Sequence, residues 1–215
     1  MTERSAESAP GASRRLTARS VGSVHDLPQS VFGPGALTWW GMMGMILTEG
    51  ITLALVAASY LYIWGGHREW PPQHTPLPSL LAPIVALLLL LASVVPAALA
   101  SRRARAHDRR GTLRALVAHS VLCTLAMIAR AFEFGALNVR WDTNAYGSVA
   151  WAVLVAHTFV AVLDVLDTYG LALLFKRCEP EERHYVDTTE NSFFWYFVVA
   201  AWVPLFVLVY LFPRW

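Results

Sequence analysis

The sequence predicts an all-α fold: a polytopic membrane helical bundle with five transmembrane helices, its N-terminus cytoplasmic and its C-terminus outside. Three observations lead there. Of 215 residues, 56% are hydrophobic and 15% charged, with mean hydropathy +0.45, a balance unlike that of a soluble domain. Five apolar runs each reach the length, about 20 residues, that crosses a hydrocarbon core about 30 Å thick. The Lys and Arg residues between those runs fall mostly on one side, which sets the orientation.

Residues 1–36 are polar and rich in Ser, Ala, Gly and Arg, and are expected to form a mobile polar cytoplasmic tail. Residues 37–215 are expected to form the five-helix transmembrane domain. The N-terminus does not read as a secretory signal, because its first apolar run starts too late and is too long.

The first span is expected at about 37–64, with Trp39, Trp40, Tyr60, Tyr62 and Trp64 gathered at its two ends, where interfacial aromatic belts lie. One acid, Glu49, falls near its middle. An ionised carboxylate at that depth is costly, so Glu49 is expected to be neutral or paired, and to face protein rather than lipid. Four prolines in the following loop, GGHREWPPQHTPLP, exclude a continuing helix.

The second span is expected at about 79–100, with a kink at Pro96. A basic loop, SRRARAHDRRGTLR, leads to a third span at about 113–137, which holds His119, Arg130 and Glu133. The fourth is expected at about 148–175, with His157, Asp164 and Asp167 in its midsection. A charged loop, KRCEPEERHYVDTTEN, precedes a fifth span at about 192–212. Five spans put the termini on opposite sides. The tail, the second loop and the fourth loop then hold thirteen of the seventeen Lys and Arg residues, against three on the other side (Arg68, Arg140 and Arg214) and Arg130 within a span.

The polar residues inside the spans are the candidates for function. Arg130 and Glu133 are i, i+3 and can pair. One reading is a structural ion pair with a snorkelling Arg; the other is a contact with a lipid headgroup or neighbouring subunit. His157, Val160, Asp164 and Asp167 share one helical face, which must point into a bundle or cavity. That face is open to two readings, a polar packing surface or a proton or water path. His157 and Asp164 are separated by about 10 Å of helix rise, too far to ligate one metal ion. His119 reads as a packing histidine. No metal site, haem site, Gly-rich phosphate loop, Ser-His-Asp or Cys-His arrangement is legible, so no catalytic residue is assigned. Cys123 and Cys178 read as free thiols.

WWGMMGMILTEGITLALVAASYLYIW, with Thr48-Glu49, resembles the first helix of the five-span form of cytochrome c oxidase subunit III, where Ser-Glu is usual. Leu77 and Pro78 match the start of that family's LPxxNTxxLLxSS helix, with Leu81 and Ala82 in place of Asn and Thr. IARAFEF resembles QxxEY, with Arg130 for Gln, Glu133 retained and Phe134 for Tyr. NAYGSVAWAVLVAHTFV resembles YGSxFFxxTGxHxxHV through Tyr146, Gly147, Ser148 and His157, with Val160 for the second His. FFWYFVVAAWVPLFVLVYLF resembles YWHFVDVVWxxLFxxVYxW through Trp195, Phe197, Val198, Trp202 and Tyr210, with Tyr196 for His and Val199 for Asp.

The resemblance implies a non-redox accessory subunit of a respiratory haem-copper terminal oxidase. It implies packing on oxidase subunit I, a complex that includes subunit II, bound phospholipid, and support of proton uptake and stable turnover in aerobic electron transport. It implies no cofactor in this chain, with haem and copper in partner subunits, and no nucleic-acid partner. Glu49, Glu133, His157 and Asp164 are the expected buried contacts with subunit or lipid, and Arg130 and Trp141 the expected headgroup contacts. The single-Lys, Arg- and Ala-rich composition suits a bacterial inner membrane. The alternatives are an accessory subunit of a nitric oxide reductase and a stand-alone proton-coupled transporter.

Overall fold

The apolar runs form five long helices in the computed structural model, which describes residues 31–72 and 74–214. They are α1 (Leu37–Gly65), α2 (Leu81–Arg105), α3 (Arg109–Ala136), α4 (Ala145–Arg177) and α5 (Glu182–Phe206). Val207–Leu211 continues α5 as a π-helical turn and Phe212–Arg214 as a 3-10 turn. All five are long and apolar enough to cross a membrane. The expected tail lies outside the described residues up to position 30. Its last part, 31–36, is described, and Phe32 packs edge-on against His107 with the Arg105 guanidinium over its ring.

Towards the two charged turns the helices extend further than the apolar runs, and those turns shrink to match. The basic loop reduces to 106–108 because α2 keeps Arg102, Arg103 and Arg105 in its last turn, where cations meet the helix dipole favourably. The Asp108 side chain then caps α3 by accepting from Gly111 N at 2.9 Å. The charged fourth loop reduces to 178–181, since α5 starts at Glu182 rather than near 192. Its first turns are polar in sequence yet buried on one side through Tyr185, Val186, Thr188, Thr189, Asn191 and Ser192. Thr188, Thr189 and Ser192 donate to carbonyls one turn back, which satisfies their hydroxyls without interrupting the helix. Pro96 lies inside α2, which remains helical on both sides of it.

Asn144 caps α4 by accepting from Gly147 N and donates to Thr75 in the first loop. Asn138, at φ +55°, ends α3 and donates to Leu77 O and Ser79 Oγ, joining the third loop to the first. Tyr60, Trp70 and Tyr146 stack edge to face, and Trp70 Nε1 donates to Tyr60 Oη at 2.9 Å.

The buried centre lies between α2, α3, α4 and α5 and is built on Trp195, Trp202, Leu90, Leu154 and Tyr210. α1 is peripheral. It buries only Met42, Leu53 and Tyr60 among its 29 residues, and it leaves Met45, Leu47, Ile51 and Leu55 exposed.

Candidate functional site

Three stripes of side chains, each at the three-to-four spacing of one helix face, enclose a cleft of about 590 Å³. α1 supplies Thr38, Met42, Met45 and Glu49. α4 supplies Val160, Asp164, Asp167 and Leu171. α5 supplies Asp187, Glu190, Asn191 and Phe194. The cleft runs from the α1 N-terminal end of the bundle inwards. Glu49 stands twelve residues into α1, about 18 Å along its axis, so it lies near mid-depth in a bilayer.

Asn191 organises the polar wall. Its amide donates to Asp164 Oδ1 at 3.1 Å and to Asp167 Oδ2 at 3.2 Å, while its carbonyl oxygen accepts from Thr168 Oγ1 at 3.1 Å. Asp164 is 5% exposed, and its second oxygen has no hydrogen-bond partner among the described residues. Thr38 Oγ1 donates to Glu190 Oε1 at 2.8 Å and joins α1 to α5 at the outer end of the cleft.

Glu49, expected to face protein rather than lipid, points into the cleft between α1, α4 and α5. Glu49 is half-buried on the cleft wall and has no hydrogen-bond or ion-pair partner among the described residues. Glu49 stands on the same stripe of α1 as Met42, Leu53 and Tyr60, seven residues after Met42 and four before Leu53, and the cleft opens between that stripe and α4 and α5 at its level. Thr48 and Thr52 bond to carbonyls of α1 itself and offer Glu49 nothing.

A second cluster lies towards the opposite end. Arg130 Nη1 lies 2.8 Å from Glu133 Oε2, with the two side chains 1% and 0% exposed. Arg130 Nη2 lies 3.3 Å from His157 Nδ1, and its guanidinium carbon lies 3.7 Å from the centre of the Trp202 ring. His157 Nε2 lies 3.0 Å from Val198 O, a carbonyl that can only accept, so Nε2 carries the proton and Nδ1 is free to accept from Arg130. The expectation that Arg130 reaches a headgroup is therefore corrected. An i, i+3 partner, an acceptor on α4 and the face of Trp202 together hold the guanidinium inside the bundle. Trp141 is elsewhere, 60% exposed in the third loop, and its carbonyl accepts from Ser148.

The face of α4 thus serves two separate clusters: His157 joins Arg130, while Asp164 and Asp167 join Asn191. His119 is fully buried, edge-on to Trp195 at 5.2 Å, and both of its ring nitrogens are without a hydrogen-bond partner among the described residues. Trp195 Nε1 donates instead to Ser93 Oγ. Cys123 is buried and Cys178 exposed, both as free thiols. No group of three or more His, Cys, Asp or Glu side chains among the described residues converges as a metal site would.

Sequence reasoning missed Asn191, Thr38, Glu190 and the placement of Trp202. Asn191 and Glu190 sat in a stretch read as loop. The available signal was the spacing Tyr185, Thr188, Thr189 and Ser192, a helical stripe written in small polar residues rather than apolar ones.

No family model matches this chain. Two curated proteins are similar to it over most of their length. The chain is 21% identical over 175 residues to cytochrome c oxidase subunit 3 of Thermostichus vulcanus, covering 81% of this chain and 87% of the relative. It is 23% identical over 180 residues to cytochrome c oxidase subunit 3 of a Synechocystis species, covering 81% and 76%.

Proposed function

We propose that this chain, a distant member of the cytochrome c oxidase subunit III family, is a non-redox accessory subunit of a respiratory haem-copper oxidase in a bacterial inner membrane. Haem and copper then reside in partner subunits, subunit I is the main contact, and subunit II belongs to the same complex. The observation that carries the reading is the cleft between α1, α4 and α5, open in the isolated chain and lined at mid-depth by Glu49.

A cleft with Met42, Met45, Leu163 and Phe194 along its walls and carboxylates at intervals suits two tasks. Its apolar lining fits a phospholipid acyl chain. Its acids, Asp187, Glu190, Asp167 and Asp164, step inwards from one membrane surface and can exchange protons with it, which supports proton uptake by the partner core. The apolar outer face of α1 is left for subunit I or lipid.

The test is purification of the tagged chain in mild detergent, with a reduced-minus-oxidised spectrum and identification of accompanying chains by mass. Haem bands with a subunit I and a copper-bearing subunit II are expected. A nitric oxide reductase core, or a colourless chain purifying alone, overturns the oxidase reading. Within the complex, Glu49→Ala is expected to lower assembly yield or shorten sustained turnover while the haem spectrum stays unchanged. Loss of a haem band in that variant would contradict the absence of a redox role.

A further inference from the structure

We propose that the groove between the C-terminal end of α2 and the N-terminal end of α3 binds the phosphate of an anionic phospholipid. This site lies on another face of the bundle from the α1–α4–α5 cleft. The groove encloses about 510 Å³ and is lined by Pro96, Leu99, Arg103, Arg110, Arg114 and Ala118 among others.

Its charges converge. Arg110 and Arg114 are i, i+4 on α3 and stand on one face, and Arg103 faces them from α2. Arg110 and Arg114 are exposed and have no hydrogen-bond or ion-pair partner among the described residues. The one acid in the lining, Asp108, is occupied: one oxygen accepts from Gly111 N and the other from Arg103 at 3.2 Å. Its charge is offset by Arg103, which leaves two unpaired guanidinium groups. Gly111 makes the arrangement possible, because a Cβ there would lie 2.2 Å from Asp108 Oδ2 and 2.8 Å from Arg103 Cδ. The Arg103–Asp108 pair therefore lies across the first turn of α3, and Arg110 and Arg114 are left for a ligand.

The rest of the groove fits the remainder of a lipid. Leu99 lies one turn inwards of Arg103, with Pro96 beyond it, and Ala118 lies one turn inwards of Arg114, with Ala115 between them. Phosphate-binding charges thus stand at the helix ends, at headgroup depth, and an apolar trough with small side chains leads from them towards the bilayer centre. A free anion would use only the first part; a phospholipid uses both. Basic pockets between membrane helices are the known setting for anionic headgroups. The proposal rests on the five helices crossing a bilayer and is independent of the accessory-subunit reading, so its failure would leave that reading untouched.

The experiment uses the full chain, purified with whatever chains accompany it, washed with detergent and exposed to mixed micelles containing cardiolipin or phosphatidylcholine. Retained lipid per chain is measured by phosphorus assay and mass spectrometry. The wild-type chain is expected to retain cardiolipin in preference to phosphatidylcholine. The double variant R110Q/R114Q is expected to bind cardiolipin roughly twenty-five-fold more weakly, at about fivefold per charge removed. Arg177→Gln, which removes an exposed cation at the same end of the bundle, is expected to match wild type. Equal cardiolipin retention by R110Q/R114Q and wild type would overturn the proposal, as would an equal loss in Arg177→Gln. Millimolar inorganic phosphate is expected to leave retention unchanged; displacement of the lipid by phosphate alone would reduce the groove to an ion site and overturn the lipid assignment.

Discussion

Arg130 shows how one side chain can hold a full charge inside a membrane bundle. Glu133 neutralises it, His157 accepts one of its protons, and Trp202 covers its face. Removing one partner of such a pair leaves an uncompensated buried charge, so Arg130→Ala is expected to destabilise the chain by about 3–5 kcal/mol. Arg130→Gln, which restores the amide of the resembled family motif, is expected to lose less, since an amide can hydrogen-bond both Glu133 and His157. The thermal transition of the purified protein measures both, and equal losses would contradict the charge argument. Asn191 supports the cleft similarly. Asn191→Leu removes the donor to Asp164 and Asp167 together and leaves the buried Asp164 without its hydrogen bond, for an expected loss of about 1–3 kcal/mol. A change within about 0.5 kcal/mol would mean that the bridge contributes nothing beyond surface substitution. The sequence marks Glu133, His157 and Asp164 as candidates because ionisable groups in a span are rare and have few places to go other than a bundle, a cavity or a polar contact. It could not show the direction of Arg130, because snorkelling and inward pairing differ only in side-chain rotamer.

At the scale of elements, helix existence was legible and helix ends were not. Each apolar run became a helix, since hydropathy over about 20 residues is the dominant local term for a membrane span. The ends went astray where polar sequence remained helical: α5 gained ten residues, from Glu182 to Asn191, and α3 began at Arg109. A buried stripe of Thr, Asn and Ser beside the interface looks like loop composition, yet its hydroxyls bond within the helix. Gly147 shows an element boundary fixed by sterics. A Cβ there would meet Arg140 O at 2.2 Å, so α4 can start under the third loop only if that residue lacks a side chain. Gly147→Ala must push the loop backbone away. It is expected to lose about 1–3 kcal/mol, as overpacking generally does, and to loosen the Trp151 Nε1–Val139 O bond across the same loop. The near-ultraviolet dichroism of Trp together with the thermal midpoint would register both changes, and an unshifted midpoint would show that the loop yields freely.

At the scale of the whole molecule, the contacts sort the charged segments onto two ends independently of the charge count. Phe32 meets His107, His107 meets Tyr185, and Arg109 donates to Cys178 O, so residues 31–36, the α2–α3 turn and the α4–α5 turn share one end. Asn138 bonds Leu77 O, Asn144 bonds Thr75, and Arg214 bonds Pro78 O, so the first and third loops and the C-terminal segment share the other. Among the described residues nine Lys and Arg fall at the first end and three at the second. The positive-inside rule acts on loops as short as 106–108 and 178–181, so the first end is expected to face the cytoplasm. The chain carries its own reporter. Cys178 is exposed at the first end, whereas Cys123 is buried between helices. A membrane-impermeant maleimide is therefore expected to label the chain in inside-out vesicles and to leave it unlabelled in intact spheroplasts. Labelling is expected to vanish in Cys178→Ser and to appear in both preparations after detergent solubilisation, which shows that no partner chain masks the thiol. Labelling of Cys178 from outside intact spheroplasts would reverse the bundle, turn the mouth of the acidic cleft to the outer surface, and remove the physical basis for proton uptake through it.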